Sequence, residues 1–165
     1  TGLRRGEALA IKYGDIDFEK KIIEIDKSVY HKSNAPHSKN TKTDAGTRTV
    51  VLLDCLAERL PKNRNPNDYI FPGSDGGAMR GSYYARHWNK WRKATGLNVT
   101  SRQLRHTYAT ILFEAEIDVK DTQHLMGHKD IATTQNIYTH IRERRKEKTA
   151  QKINEYIQSE NTIDK

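Results

Sequence analysis

Two stretches rich in β-branched residues, KIIEIDKSVYH at 21–31 and RTVVLL at 48–53, both lie in the first third of the chain. Such residues fit a pleated, half-buried surface, so each stretch reads as a strand. Between them, KSNAPHSKNTKTDAGT is polar and carries Pro36 and Gly46, the composition of a loop or a hairpin tip. Two strands joined through a basic tip can build a small antiparallel sheet and little more. Upstream, RGEALAIKYGDIDFEK begins as a helix and breaks at Gly14.

Beyond residue 53 the pattern turns helical. DCLAERL starts at Asp54 and stops before Pro61. The segment 62–81 holds Pro66, Pro72, Gly73, Gly76 and Gly77 and reads as irregular. SYYARHWNKWRKATG sets Tyr84, Trp88 and Trp91 at helical spacing, with both tryptophans read as core or helix-packing residues. TSRQLRHTYATILFEA is amphipathic, with Leu104, Tyr108, Ile111 and Leu112 on one face. Two short helices are expected at 119–126 and 131–138, followed by a charged tail helix within 141–165. The sum is one α+β domain over 1–165, mainly helical, with a small antiparallel β-sheet.

Charge narrows the partners. The chain has 29 Lys and Arg against 21 Asp and Glu, a net charge of +8. A surplus of that size favours a polyanion such as nucleic acid. Cys55 is the single cysteine, which excludes an intramolecular disulfide, points to a cytoplasmic setting, and reads as a core thiol. No apolar run reaches the roughly 18 residues that cross a bilayer, so a membrane partner is not expected. The chain opens abruptly at TGLRRGEALA without an initiator Met, as a piece of a longer protein would, truncated at its N-terminus.

Several polar residues stand where chemistry would want them. Arg4 opens the chain, Lys42 sits in the hairpin tip, Arg105 and His106 adjoin in QLRH, and LMGHKDIATTQNIYTH sets Tyr138 ten positions after His128. Singly, each has a duller role: a packed tyrosine, a surface arginine, a solvated lysine, a histidine that packs or caps its helix. Together they suit transfer of a phosphodiester onto a side chain. A tyrosine can form the covalent intermediate. Two guanidiniums can hold the non-bridging oxygens and offset charge as the pentavalent state forms. A lysine can protonate the leaving oxygen, and a histidine can hydrogen-bond the phosphate or help move the phenol proton.

The same boxes resemble the catalytic domain of the tyrosine recombinases, the integrases of phages and conjugative transposons and the Xer-type resolvases. TGLRRGEAL is similar to the first arginine box, with Arg4 catalytic and Glu7 a structural acid. KTDAGTRTV resembles the β-hairpin box with Lys42, and LRHTYAT the second arginine box with Arg105. LMGH supplies the second histidine, His128, and TTQNIYTH the nucleophile, Tyr138. The resemblance implies site-specific cleavage and rejoining of double-stranded DNA through a 3′-phosphotyrosyl intermediate, without metal or other cofactor. It also implies a homotetramer on DNA, with accessory DNA-bending or directionality proteins possible.

One position departs from that pattern. The family usually carries a histidine three residues before the second arginine, where this chain has Arg102. A guanidinium cannot be deprotonated in proteins and so cannot serve as a general base, although it can donate to a phosphate. His124 and His128 stand four apart, a spacing that can bind metal, but no third ligand is evident. The tail has six Lys or Arg between Arg142 and Lys152 and an apolar stripe at Ile153, Tyr156 and Ile157, suited to docking on a neighbouring protomer. Two other readings stay open: nicking and resealing of the type IB topoisomerase kind, and a DNA-binding remnant without catalysis.

Overall fold

The computed structural model describes residues 1–40 and 46–163, the last five of these as backbone alone. A short helix α1 (Arg5–Ala8) and a 3-10 turn lead into strands β1 (Ile16–Asp17), β2 (Ile22–Ile25), β3 (Lys27–Lys32), β4 (Ala35–Asn40) and β5 (Arg48–Val51). Helices α2 (Asp54–Ala57), α3 (Gly81–Thr95), α4 (Ser101–Glu114), α5 (Val119–Met126) and α6 (Ile131–Ile163) follow. The fold is mainly helical with small antiparallel sheets.

The stretch expected as one strand divides at Asp26 between two sheets. β2 is the centre of a three-stranded sheet of order β1-β2-β5, with Ile23 opposite Val50 and Ile25 opposite Arg48. β3 pairs instead with β4 in a separate hairpin, so much of the polar stretch expected as loop is strand. Ser33 and Asn34 turn the hairpin with φ of 47° and 69°, the double positive φ that a tight two-residue turn needs. Pro36 is tolerated because β4 has a partner on one side only. Asn34 also caps α3: its carbonyl accepts the Gly81 N–H at 3.3 Å and its side-chain oxygen the Ser82 N–H at 2.7 Å.

The alternation in β2 and β5 turns Ile23, Ile25 and Val50 inward, where they pack with Ile11, Ile16 and Leu52. Leu56 and Leu60 close this core from the α2 side. Cys55 does not join it and is exposed, because in so short a helix Leu56 takes the inward position. A second cluster gathers Ala109, Leu112 and Met126 from α4 and α5, with Tyr108 and Ile137 against it.

One expectation about the helices changes. The segments 131–138 and 141–158 are one continuous α6, since no glycine or proline interrupts the chain from Ile131 to Ile163. On the apolar face of α4, Leu104 and Ile111 are 40% and 53% exposed and line an open apolar groove of about 700 Å³ with Trp88 and Trp91. Among the described residues, no helix is long and apolar enough to cross a membrane.

Candidate active site

Helix α5 ends in a left-handed residue, Gly127 at φ 62°. The Gly127 N–H returns to the His124 carbonyl at 2.9 Å and the His128 N–H to the Gln123 carbonyl at 3.1 Å. This double closure is a common helix terminus, and it fixes the backbone of His128 directly after the glycine. The last carbonyls of a helix have no partner within it and carry the negative end of the dipole. Here each of three successive carbonyls takes one guanidinium. Arg48 Nε donates to Leu125 O at 3.1 Å, Arg105 Nη2 donates to Met126 O, and Arg4 Nη2 donates to Gly127 O at 2.6 Å.

The three arginines come from the N-terminal segment, β5 and α4, so this helix end joins parts of the chain far apart in sequence. Glu7 completes the joint. Its carboxylate, 3% exposed, takes Arg4 Nη1 at 2.6 Å, the Arg4 N–H at 2.8 Å, and Arg48 through Nη1 at 3.2 Å and Nη2 at 2.9 Å. Burial alone would raise the Glu7 pKa, but the hydrogen bonds and charge of Arg48 and Arg4 outweigh it and hold the carboxyl below its usual range. Arg105 is tied a second time by donating from Nη1 to Gly2 O at 2.6 Å.

Crowding of positive charge leaves a clear electrostatic mark. Burial, with the charges of Arg4 and Arg48, lowers the Arg105 pKa to about 10, so it stays cationic at neutral pH. Burial and then Arg105, Arg4 and Arg48 push His128 down to about 4, so its imidazole is neutral there. Its Nδ1 lies 2.9 Å from Thr134 Oγ1. A bound anion would lower the cost of holding these cations together.

The sequence-expected residues thus separate into groups. Arg4, Arg105 and His128 gather at the end of α5. Tyr138 is one helical turn beyond Thr134 on α6, yet its hydroxyl is turned elsewhere. It lies 2.6 Å from Thr122 Oγ1, donates to Ile117 O at 2.9 Å, and its ring meets Phe113 edge-on at 4.9 Å. Arg102 is exposed on the first turn of α4, whose Thr100 cap accepts the Gln103 N–H at 3.2 Å. Lys42 lies outside the described residues. His106 is exposed rather than packed, because its neighbour Arg105 takes the inward face of α4. His124 is exposed as well, and among the described residues no group of three or more His, Cys, Asp or Glu can hold a metal.

Arg48 escaped the sequence reading. The signal was present: in RTVV the alternation that buries Val50 buries Arg48 with it, and a buried arginine implies paired anions or carbonyls.

Residues 1–145 match the model of the phage integrase family. A XerC-like tyrosine recombinase of Caldanaerobacter subterraneus subsp. tengcongensis is 30% identical, covering 94% of this chain and 46% of its own length. The integrase of Staphylococcus phage L54a is 30% identical over 95% of this chain and 49% of its own. Among solved structures, the Tn1549 transposon integrase in complex with transposon right end DNA is similar at 26% identity and a TM-score of 0.69, over 84% of this chain and 50% of that one. The chain therefore spans about half the length of the curated relatives it matches.

Proposed function

The chain belongs to the phage integrase family, and on that premise we propose that it carries the catalytic machinery of a site-specific DNA recombinase working through a 3′-phosphotyrosyl intermediate. The observation that carries this reading is the convergence of Arg4, Arg105 and His128 at the C-terminal end of α5. Each guanidinium is held by two protein oxygens and keeps further N–H groups for a phosphate.

In the proposed reaction the Tyr138 oxygen attacks phosphorus and the bond to the 5′-oxygen breaks. Arg4 and Arg105 hold the non-bridging oxygens as charge accumulates. With the Thr134 hydroxyl donating to Nδ1, the neutral His128 carries its proton on Nε2 and donates it in a hydrogen bond to the phosphate. Lys42 protonates the departing 5′-oxygen, and Arg102 adds a phosphate-facing donor where relatives use histidine. The phenol proton passes to water. Rejoining reverses the steps with a 5′-hydroxyl from the partner strand, and the phosphotyrosyl ester conserves the bond energy.

Tyr138 must first leave Thr122 and Ile117, so the described arrangement is a resting one. The finer assignments are part of the proposal: duplex DNA as substrate in the cytoplasm, the domain spanning 1–165, and a tetramer assembled on DNA through the α6 tail. A surface of net charge +8 supports affinity dominated by phosphate contacts that weaken steeply with salt.

The test is a duplex nicked beside the scissile phosphate, so that the short strand diffuses away after cleavage and traps the adduct. The full-length protein should form a denaturant-resistant adduct mapping to Tyr138, and Tyr138→Phe none. Absence of an adduct from both, with DNA binding intact, would leave the DNA-binding remnant as the better reading. Relaxation of supercoiled DNA lacking any specific site would favour the topoisomerase one.

A further inference from the structure

Arg48 is the one guanidinium at the α5 terminus that DNA cannot reach, its side chain being 1% exposed. Its contacts nevertheless reach the supports of Arg4, Arg105 and His128. It grips both oxygens of Glu7, the carboxylate that also holds Arg4. It donates to Leu125 O, one peptide before the carbonyl that holds Arg105. It also lies flat beneath the turn that precedes His128: a Cβ added at Gly127 would fall 2.6 Å from Arg48 Nη1 and 2.7 Å from its Cζ. The glycine therefore serves a close approach as well as its left-handed backbone.

From this geometry we infer that Arg48 is a positioning residue for the transfer reaction, setting the relative placement of Arg4, Arg105 and His128 without touching DNA. The inference rests on the recombinase reading given above. A planar fork suits a side chain that serves both oxygens of a carboxylate and a peptide carbonyl at once. A lysine ammonium has three donors on one atom but lacks the fixed planar fork that matches both carboxylate oxygens side by side. Displacements of about 1 Å among groups that hold a reacting phosphate can cost about 100-fold in rate. Binding is a different matter, since phosphate contacts come from the exposed surface and Arg48 supplies none.

The experiment compares the full-length protein with Arg48→Lys and Arg48→Gln, with Tyr138→Phe as the adduct-negative control. Thermal melts and amide spectra establish folding, gel shifts at fixed salt give Kd, and single-turnover trapping on the nicked duplex gives the adduct rate. Expected for Arg48→Lys is a folded protein with Kd within about threefold of the parent and an adduct rate down about 100-fold. In Arg48→Gln, loss of one neighbouring charge should also move the His128 imidazole titration to higher pH, which Arg48→Lys should not.

Wild-type adduct rates in a folded Arg48→Lys overturn the inference. So does failure of both variants to fold, which would make Arg48 a general stability element. Equal losses of binding and rate overturn it too, because a positioning residue should split them. If the unaltered protein forms no adduct, the recombinase reading fails first and takes this inference with it.

Discussion

The Tyr138 hydroxyl lies 2.6 Å from Thr122 Oγ1, inside a site where Thr122 is 1% exposed and Tyr138 7%. The same hydroxyl donates to Ile117 O. Tyrosine and threonine both belong to the hydrogen-bonded interior between α5 and α6, so the proposed nucleophile is restrained by ordinary packing forces.

Thr122→Val keeps the shape of the side chain and removes one of those restraints. A net hydrogen bond contributes about 1 kcal/mol, so unfolding free energy should fall by about that much. The same amount biases Tyr138 toward release, and adduct formation on the nicked duplex should rise several-fold. A slower or unchanged adduct rate in the folded variant would mean that release of the hydroxyl does not limit cleavage.

Acid should destabilise the protein. His128 falls from 6.5 to about 4 on folding, so between those values the unfolded chain binds a proton that the folded one does not. Stability then rises with pH across that window. Glu7 acts in the same direction at lower pH, its depressed pKa giving stability present above the unfolded value and lost as pH falls through the folded one. Melting temperatures from pH 4 to pH 7 should climb, and His128→Asn should flatten the part of the climb above pH 4.

Gly127→Ala should be costly. A left-handed alanine is strained by about 1 kcal/mol or more, and its Cβ has only the buried Arg48 guanidinium to meet. Chemical denaturation should show a loss of about 2 kcal/mol or more. A neutral result would mean that the α5 terminus yields easily and is no firm support for His128.

Arg102→His restores an imidazole where relatives have one, on an exposed turn that tolerates either side chain. Proton-transfer groups are worth about 10²- to 10⁴-fold, so cleavage should accelerate if the phenol proton limits the reaction. Equal rates for the two proteins would show that water suffices.

Arg142 and Arg145 hold the near part of the tail to α4 over the Phe113 ring, and Arg145 pairs with Glu114 at 3.5 Å. Farther out, Ile153, Tyr156 and Ile157 are 55%, 66% and 51% exposed. Ending the chain at Lys152 should therefore leave folding and single-site cleavage unchanged while weakening assembly on DNA. Light scattering of the protein–DNA complex checks this, and an unaltered assembly would remove the tail from the oligomer interface.

Much of this molecule was legible before any coordinates. Helix starts and stops follow local chemistry, as at Thr100 and Gly127, and the order of boxes from Arg4 to Tyr138 identified the family because each is a short run of adjacent residues. Strand partnership was not legible: 21–31 reads as one strand, and only the choice of neighbours splits it at Asp26. Nor was the uninterrupted α6, since periodicity locates faces better than it locates ends. What tertiary structure alone decided is the company each group keeps. Sequence named Arg4, Arg105 and His128, but the seating of Arg4 and Arg105 on successive carbonyls just before His128, with Arg48 beneath them and the Tyr138 hydroxyl turned toward Thr122, depends on contacts between residues 16 to 123 positions apart. Local patterns encode which way a side chain faces along its own element, and packing between elements determines what it faces.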